Sequence, residues 1–138
     1  MTVPSGVYII RPVAKPDQAV LIGPVPLIWP PPPAPLLTVP GRRTEFTLTQ
    51  VGGDSTISAN SNHTVVEARE AKTVVGIEGS QGAKKQTWTL EADGPGIFRI
   101  KDPESGKYWE DSEIDWDSIS LQGKGPSRQQ WIFEPASS

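Results

Sequence analysis

Apolar residues along this chain recur with a period of two. Gly6-Val7-Tyr8-Ile9-Ile10, Glu45-Phe46-Thr47-Leu48, Gln86-Thr87-Trp88-Thr89-Leu90, Gly96-Ile97-Phe98-Arg99-Ile100 and Gln130-Trp131-Ile132-Phe133 carry the clearest instances. Residues i and i+2 share one face of an extended chain, so this alternation predicts β-strands with one face buried. Stripes at helical spacing are nearly missing. The stretch from Val65 to Lys72 is the one helical-looking segment, and its β-branched flank favours a hairpin there.

The pattern repeats. Phe46, Trp88 and Trp131 close three similar strands and stand 42 and 43 residues apart. After the first two comes a turn, Val51-Gly52-Gly53-Asp54 or Ala92-Asp93-Gly94-Pro95. A new strand follows each turn, Thr56 to Ser58 or Gly96 to Ile100, and in the second of these Phe98 takes the place of Tyr8. Two further candidate strands lie inside each copy: Ala19–Ile22 and Leu36–Val39, His63–Glu67 and Thr73–Ile77, Lys107–Glu110 and Ser118–Leu121. This gives about twelve short strands in three groups of four, with repeats near 5–50, 53–91 and 95–135. Three propeller blades are too few to close a ring. Closing the strands into one pseudo-threefold body removes sheet edges and creates a shared core. The expectation is an all-β chain, a single β-trefoil domain spanning residues 1–138.

Thirteen glycines and fifteen prolines support short strands joined by turns rather than helices. The net charge of −3 supplies no basic field for a phosphate backbone, so nucleic acid is not an expected partner. The chain has no cysteine, which removes disulfides and thiolate chemistry and fits a reducing compartment. Met1 to Gly6 lacks the basic and apolar regions of a signal peptide, and no apolar run approaches the ~20 residues that span a bilayer. A cytoplasmic protein without membrane partners is expected.

The first repeat is long. From opening to closing aromatic it covers 38 residues, against 33 in the third repeat, and the second gives 31 from Ile57 to Trp88. The excess falls in Gly23-Pro-Val-Pro-Leu-Ile-Trp-Pro-Pro-Pro-Pro-Ala-Pro35, between the second and third strands. Seven of these thirteen residues are proline, each with φ fixed near −65° and no backbone donor. The segment should be a stiff, extended loop, not a central strand. It carries Leu27, Ile28 and Trp29 at its crest, flanked by Pro26 and Pro30. Such a loop suits docking into a protease cleft, because a preorganised backbone loses little entropy on binding. Two other readings stand beside it: apolar residues folding back onto the barrel mouth, and polyproline docking onto an aromatic groove. Arg42-Arg43, after Pro40-Gly41, offers a second exposed loop with basic side chains for a trypsin-like enzyme, or simply solvated turn charges. Lys15 precedes Pro16, which makes it a poor tryptic site.

Catalytic material is thin. His63 is the one histidine, and no nucleophile elbow accompanies it. The acids between Asp111 and Asp117 lack the glycine and closing glutamate of a calcium loop, so neither metal nor cofactor is expected. A binding protein, not an enzyme, is the reading.

Several motifs then carry a resemblance across essentially the whole chain. Val3-Pro-Ser-Gly-x-Tyr8-x-Ile10, Gln86-x-Trp88, Gln129-x-Trp131 and Trp131-x-Phe133-Glu134 resemble the small β-trefoils of mushrooms. Two groups share this framework, the cospin-type serine protease inhibitors and the ricin-B-like lectins. In the inhibitors the reactive loop joins the second and third strands of the first repeat. The resemblance thus implies Leu27 as primary-specificity residue and Leu27-Ile28 as the presented bond. Those loops are polar and charged, whereas this one is apolar. In the lectins an aromatic ring stacks on the sugar beside a carboxylate. That implies a site in the third repeat from Tyr108, Trp109, Asp111, Asp115 and Trp116, preceded by the lectin-like Ser105-Gly106-Lys107. Gln86, Gln129, Trp88 and Trp131 are expected to be structural. The implied partner is a protease or, alternatively, a glycan, with the chain a monomer or weak homodimer.

Overall fold

The computed structural model describes residues 4–23, 34–59, 64–69, 73–78, 86–112, 114, 118–125 and 127–136. Among the described residues there are twelve strands: β1 Gly6–Pro12, β2 Gln18–Ile22, β3 Ala34–Pro40, β4 Phe46–Val51, β5 Asp54–Ala59, β6 Thr64–Arg69, β7 Thr73–Glu78, β8 Thr87–Ala92, β9 Ile97–Lys101, β10 Tyr108–Glu110, β11 Ser120–Gln122 and β12 Trp131–Pro135. Six of them close a ring. β1 pairs β4, β4 pairs β5, β5 pairs β8, β8 pairs β9, β9 pairs β12, and β12 returns to β1, all antiparallel. The other six form three hairpins, β2–β3, β6–β7 and β10–β11. These meet over one end of the barrel through β3–β7, β7–β11 and a Leu37–Ser118 bridge. A six-stranded barrel capped by a hairpin triplet is the β-trefoil.

The period-two pattern becomes the core directly. Tyr8 and Ile10, Phe46 and Leu48, Trp88, Phe98 and Ile100, and Trp131 and Phe133 all point into one apolar cluster. Leu36, Val74 and Ile119, one from each hairpin, are fully buried where the hairpins meet. Their backbones join there: Ile119 N donates to Leu36 O at 2.8 Å and Val74 N to Ile119 O at 3.3 Å. The threefold relation extends to single hydrogen bonds. Trp88 Nε1 donates to Val66 O and Trp131 Nε1 to Trp109 O, each at 3.2 Å and each across 22 residues. Phe46 occupies the matching place in the first repeat and has no N–H to give.

Turn chemistry follows the sequence. Gly52 and Gly53, with φ of 56° and 93°, join β4 to β5 in a two-residue turn closed by the Val51–Asp54 pair. Positive φ at both central positions matches the right-handed twist of the flanking strands, which glycine adopts without strain. The Val65 to Lys72 stretch is extended through Arg69, as β6, not helical.

Two strand expectations need adjustment. β3 begins at Ala34, inside the proline-rich segment, and Pro35 pairs with Val75 of β7. On its other flank the Pro35 carbonyl accepts from Gly23 N, next to β2, a bond that does not need the N–H that proline lacks. β11 starts at Ser120, and Ser118 stands before it in an isolated bridge to Leu37. His63 lies outside the described residues.

Candidate functional site

The β2–β3 hairpin is a braced stem for the proline-rich insertion. Its register runs without a bulge from Gln18–Pro40 to Ile22–Leu36. One more hydrogen bond, Gly23 N to Pro35 O at 2.8 Å, brings the two ends of the insertion together. Gly23 is buried in this pinch: a Cβ there would lie 3.0 Å from Pro35 O and 3.2 Å from Pro35 Cγ. β3 is gripped from both flanks as well. Ala34 and Pro35 pair with β7, while Leu36 O accepts from Ile119 N, and the Thr38 hydroxyl donates to Asp111 Oδ1. Pro26, Leu27, Ile28, Trp29 and Pro30 lie outside the described residues, but the point at which their segment leaves the barrel is held on three sides.

The third repeat departs from the sequence expectation at three residues. Trp109 is fully buried, with Trp88 5.4 Å away at 87° and Trp131 5.8 Å away at 83°. It is a core residue and has no face to offer a sugar. Tyr108 is buried too, and its hydroxyl donates to Glu91 Oε1 at 2.8 Å. Burial, and then this bond to a carboxylate, pushes the phenol above its ordinary value. Asp111 is 2% exposed. Its carboxylate accepts from Thr38 Oγ1 at 2.5 Å and lies 3.3 Å from Lys15 Nζ. Lys15 also donates to Ser112 O at 2.9 Å, which ties the β1–β2 loop to the third repeat. Asp111 is therefore held in place by Thr38 and Lys15. Asp115 and Trp116 lie outside the described residues.

What remains open beside them is a shallow depression of about 510 Å³. Glu110, Asp111, Ser112, Ser118, Ser120 and Arg128 supply its polar lining, with Ile114 at the rim, 67% exposed. Arg128 reaches Glu110 at 3.7 Å. Sequence reasoning found Asp111 but missed Glu110, the serines and Arg128 as a group. They come from three separate segments, and no spacing rule joins them.

The glutamines are structural, as expected. Gln129 is fully buried: its Nε2 donates to Glu110 Oε1 and Gly123 O, and its Oε1 accepts from Gly125 N and Arg99 Nη1. Gln86 repeats the first of these bonds, donating to Glu67 Oε1 at 3.3 Å. Arg42 and Arg43 are exposed in the turn between β3 and β4. Among the described residues, no three acidic or histidine side chains gather in a way that would hold a metal ion. No helix of the described residues is long and apolar enough to cross a membrane.

The fold places the chain among known β-trefoils, although no family model and no curated protein matches its sequence. The designed threefold symmetric protein ThreeFoil superposes with a TM-score of 0.77 at 20% identity, over 94% of this chain and 98% of that one. A proteinase inhibitor from Coprinopsis cinerea gives 0.81 at 10% identity, over 98% and 100%. SeviL, solved with the asialo-GM1 saccharide bound, gives 0.72 at 14% identity, over 97% and 100%. At these identities the likeness concerns the fold. The class is that of the β-trefoil fold, which a proteinase inhibitor and a protein solved with a bound saccharide also have.

Proposed function

We propose that this chain is a non-catalytic binding protein that blocks a protease, a serine protease by preference, through the proline-rich segment between β2 and β3. The observation that carries this reading is the stem. Both ends of the segment are fixed within one hydrogen bond, on a hairpin braced by β7 and the third repeat. A segment with so many prolines has few backbone states to lose, so little ordering entropy opposes binding. Leu27 then serves as primary-specificity residue and suits enzymes with an apolar pocket.

Inhibition of chymotrypsin-, subtilisin- and trypsin-like enzymes by the purified chain tests this. The expected result is slowing of an enzyme that prefers large apolar residues. Leu27→Lys should redirect inhibition to the trypsin-like enzyme, and replacing residues 24–33 by a two-residue turn should abolish it while far-ultraviolet circular dichroism and cooperative urea unfolding are retained. If no enzyme of the panel is slowed at micromolar protein, the proposal fails.

The third-repeat depression supports a second reading, saccharide binding. Serine hydroxyls, a carboxylate and a guanidinium on a shallow surface are the groups that grip sugar hydroxyls. Trp116 is the aromatic that this reading needs in place of the buried Trp109. A glycan array probed with the parent chain and Trp116→Ala decides it: retained binding by the variant removes Trp116 from the site.

A further inference from the structure

The β3–β4 connection of the first repeat is a short loop fixed at both ends. β3 ends at Pro40, opposite Gln18, and β4 starts at Phe46, opposite Tyr8. Val39 and Phe46, one at each end, are buried. Gly41 bends the chain with φ of 76°, and from Arg42 to Glu45 there is neither turn nor helix. The loop borders a depression of about 370 Å³ lined by Arg11, Asp17, Ala19, Gly41, Arg42 and Arg43.

Two adjacent arginines stand in the open there, followed by a clamped threonine. Arg42 and Arg43 are exposed, the Arg43 side chain by 52%, with Glu45 4.0 Å from its guanidinium. Such a surface pair holds little energy, so Arg43 leaves it easily. Asp17 and Glu45 balance the two guanidiniums in the free protein, so recognition here comes from pockets that take the side chains and not from a field. Thr44 is the reverse of its neighbours. Its N–H donates to Val20 O and its Oγ1 accepts from Ile22 N, both at 3.0 Å, which fastens it to β2.

From this we infer a second inhibitory loop, with Arg43–Thr44 as the bond presented and, as its partner, a serine protease that cleaves after paired basic residues. Such an enzyme has acidic pockets for both Arg43 and Arg42, and the arginine fork meets a carboxylate in a bidentate way. The clamp on Thr44 makes the loop an inhibitor rather than a substrate. When the enzyme's serine attacks the Arg43 carbonyl carbon, an ester forms there and the bond to Thr44 N breaks. The serine's proton passes through the enzyme's histidine to the Thr44 amine. That amine stays beside the ester, because Thr44 Oγ1 remains tied to Ile22 N and β4 to β1. An amine held in place has a high effective concentration, so religation outpaces attack by water. This second head rests on the reading of the chain as an inhibitor, but not on the proline-rich segment. The seven residues of β3 separate the two loops by roughly 20 Å at the rise of a strand.

The test is inhibition of a kexin-type processing protease by the full chain and its variants, with trypsin and chymotrypsin as comparisons. The parent should slow the kexin-type enzyme at micromolar protein, and trypsin, which reads only Arg43, about tenfold more weakly. Arg43→Ala should weaken inhibition of the kexin-type enzyme about a hundredfold and Arg42→Ala about tenfold, the latter leaving trypsin nearly unaffected. Chymotrypsin should respond to neither change. Thr44→Val loosens the clamp and should let cut chain accumulate, seen by denaturing mass spectrometry as two fragments split after Arg43. The chain with residues 24–33 replaced should keep the activity that Arg43→Ala loses, which separates this loop from the proline-rich one. Unchanged core-tryptophan fluorescence in each variant keeps the fold out of question. No slowing of the kexin-type enzyme overturns the assignment, as does rapid cutting of the parent after Arg43 without inhibition. So does inhibition that survives Arg43→Ala, or that is lost with residues 24–33.

Discussion

Asp111 is the residue at which structural and binding roles separate most sharply. Replacing it with alanine removes the acceptor of the Thr38 hydroxyl, and Thr38 is fully buried. The lost bond is to a charged group and leaves a buried donor unpaired, which costs roughly 1.5–3 kcal/mol. The same change removes the carboxylate 3.3 Å from Lys15 Nζ. Breaking a buried pair costs about 3–5 kcal/mol, but here the Lys15 side chain is 22% exposed and keeps its bond to Ser112 O at 2.9 Å. The ammonium can therefore stay hydrated, and little of the full penalty should apply. The expected loss for Asp111→Ala is about 2–3 kcal/mol, which at an m-value of roughly 1–3 kcal/mol/M lowers the urea midpoint by about 0.7–3 M.

Tryptophan fluorescence reports this unfolding, since Trp88, Trp109 and Trp131 are all fully buried in the core. Thr38→Val removes the donor instead, so the double variant should cost about 1 kcal/mol less than the sum of the single ones. Asp111→Asn keeps an acceptor for Thr38 and should lose only about 1 kcal/mol. An Asp111→Ala loss below about 0.5 kcal/mol, or additivity within about 0.5 kcal/mol, would refute the structural role. So would loss of glycan binding at unchanged stability.

Four further outcomes are expected. Gln129→Leu removes the hub of four hydrogen bonds at a fully buried position and should cost about 3 kcal/mol in the same urea assay. Trp131→Phe should cost about 1–3 kcal/mol, less than the roughly 3–5 kcal/mol of Trp131→Ala, because Phe46 already fills the equivalent place in the first repeat. Folding raises the Tyr108 phenol above 10.0, so its contribution is complete below that value and is lost as pH climbs through the raised one. Tyr108→Phe should accordingly flatten the alkaline fall in thermal midpoint. Asp93 has the opposite sign. The hydrogen bond from Gln130 and then that from Arg99 hold its carboxyl below 3.8, so what it contributes is present above that value and lost on further acidification. Asp93→Asn should remove that loss, measured as thermal midpoint against pH.

The fold was legible because its signal is local. Alternation at Tyr8/Ile10, Phe46/Leu48, Phe98/Ile100 and Trp131/Phe133 is a property of extended backbone, and each pair lies in the core as that geometry requires. The spacing of Phe46, Trp88 and Trp131 then reappears as two equivalent indole hydrogen bonds. The glutamines two residues before Trp88 and Trp131 were likewise readable as structural.

The third-repeat site was legible only in part. Tyr108, Trp109 and Asp111 have the composition of a sugar pocket, aromatic rings beside a carboxylate. Trp109 instead fills the barrel between two other indoles, and Tyr108 is closed over by its bond to Glu91. Neither arrangement leaves a local trace, because a strand that is covered on both faces breaks the alternation from which exposure is read. The depression on the first repeat was half visible: Arg42 and Arg43 stood out, but Arg11 and Asp17 reach the same place from a different strand and loop.

Strand number, threefold period and the inward aromatics follow from the order of residues alone, since side-chain alternation and turn geometry act over a few bonds. Which polar and aromatic groups stay accessible was settled by packing between distant segments. The bond from Thr38 to Asp111 spans 73 residues and that from Lys15 to Ser112 spans 97. Burial of a given carboxylate depends on which loop happens to lie over it, and a chain closed into a barrel brings together loops that no local periodicity relates.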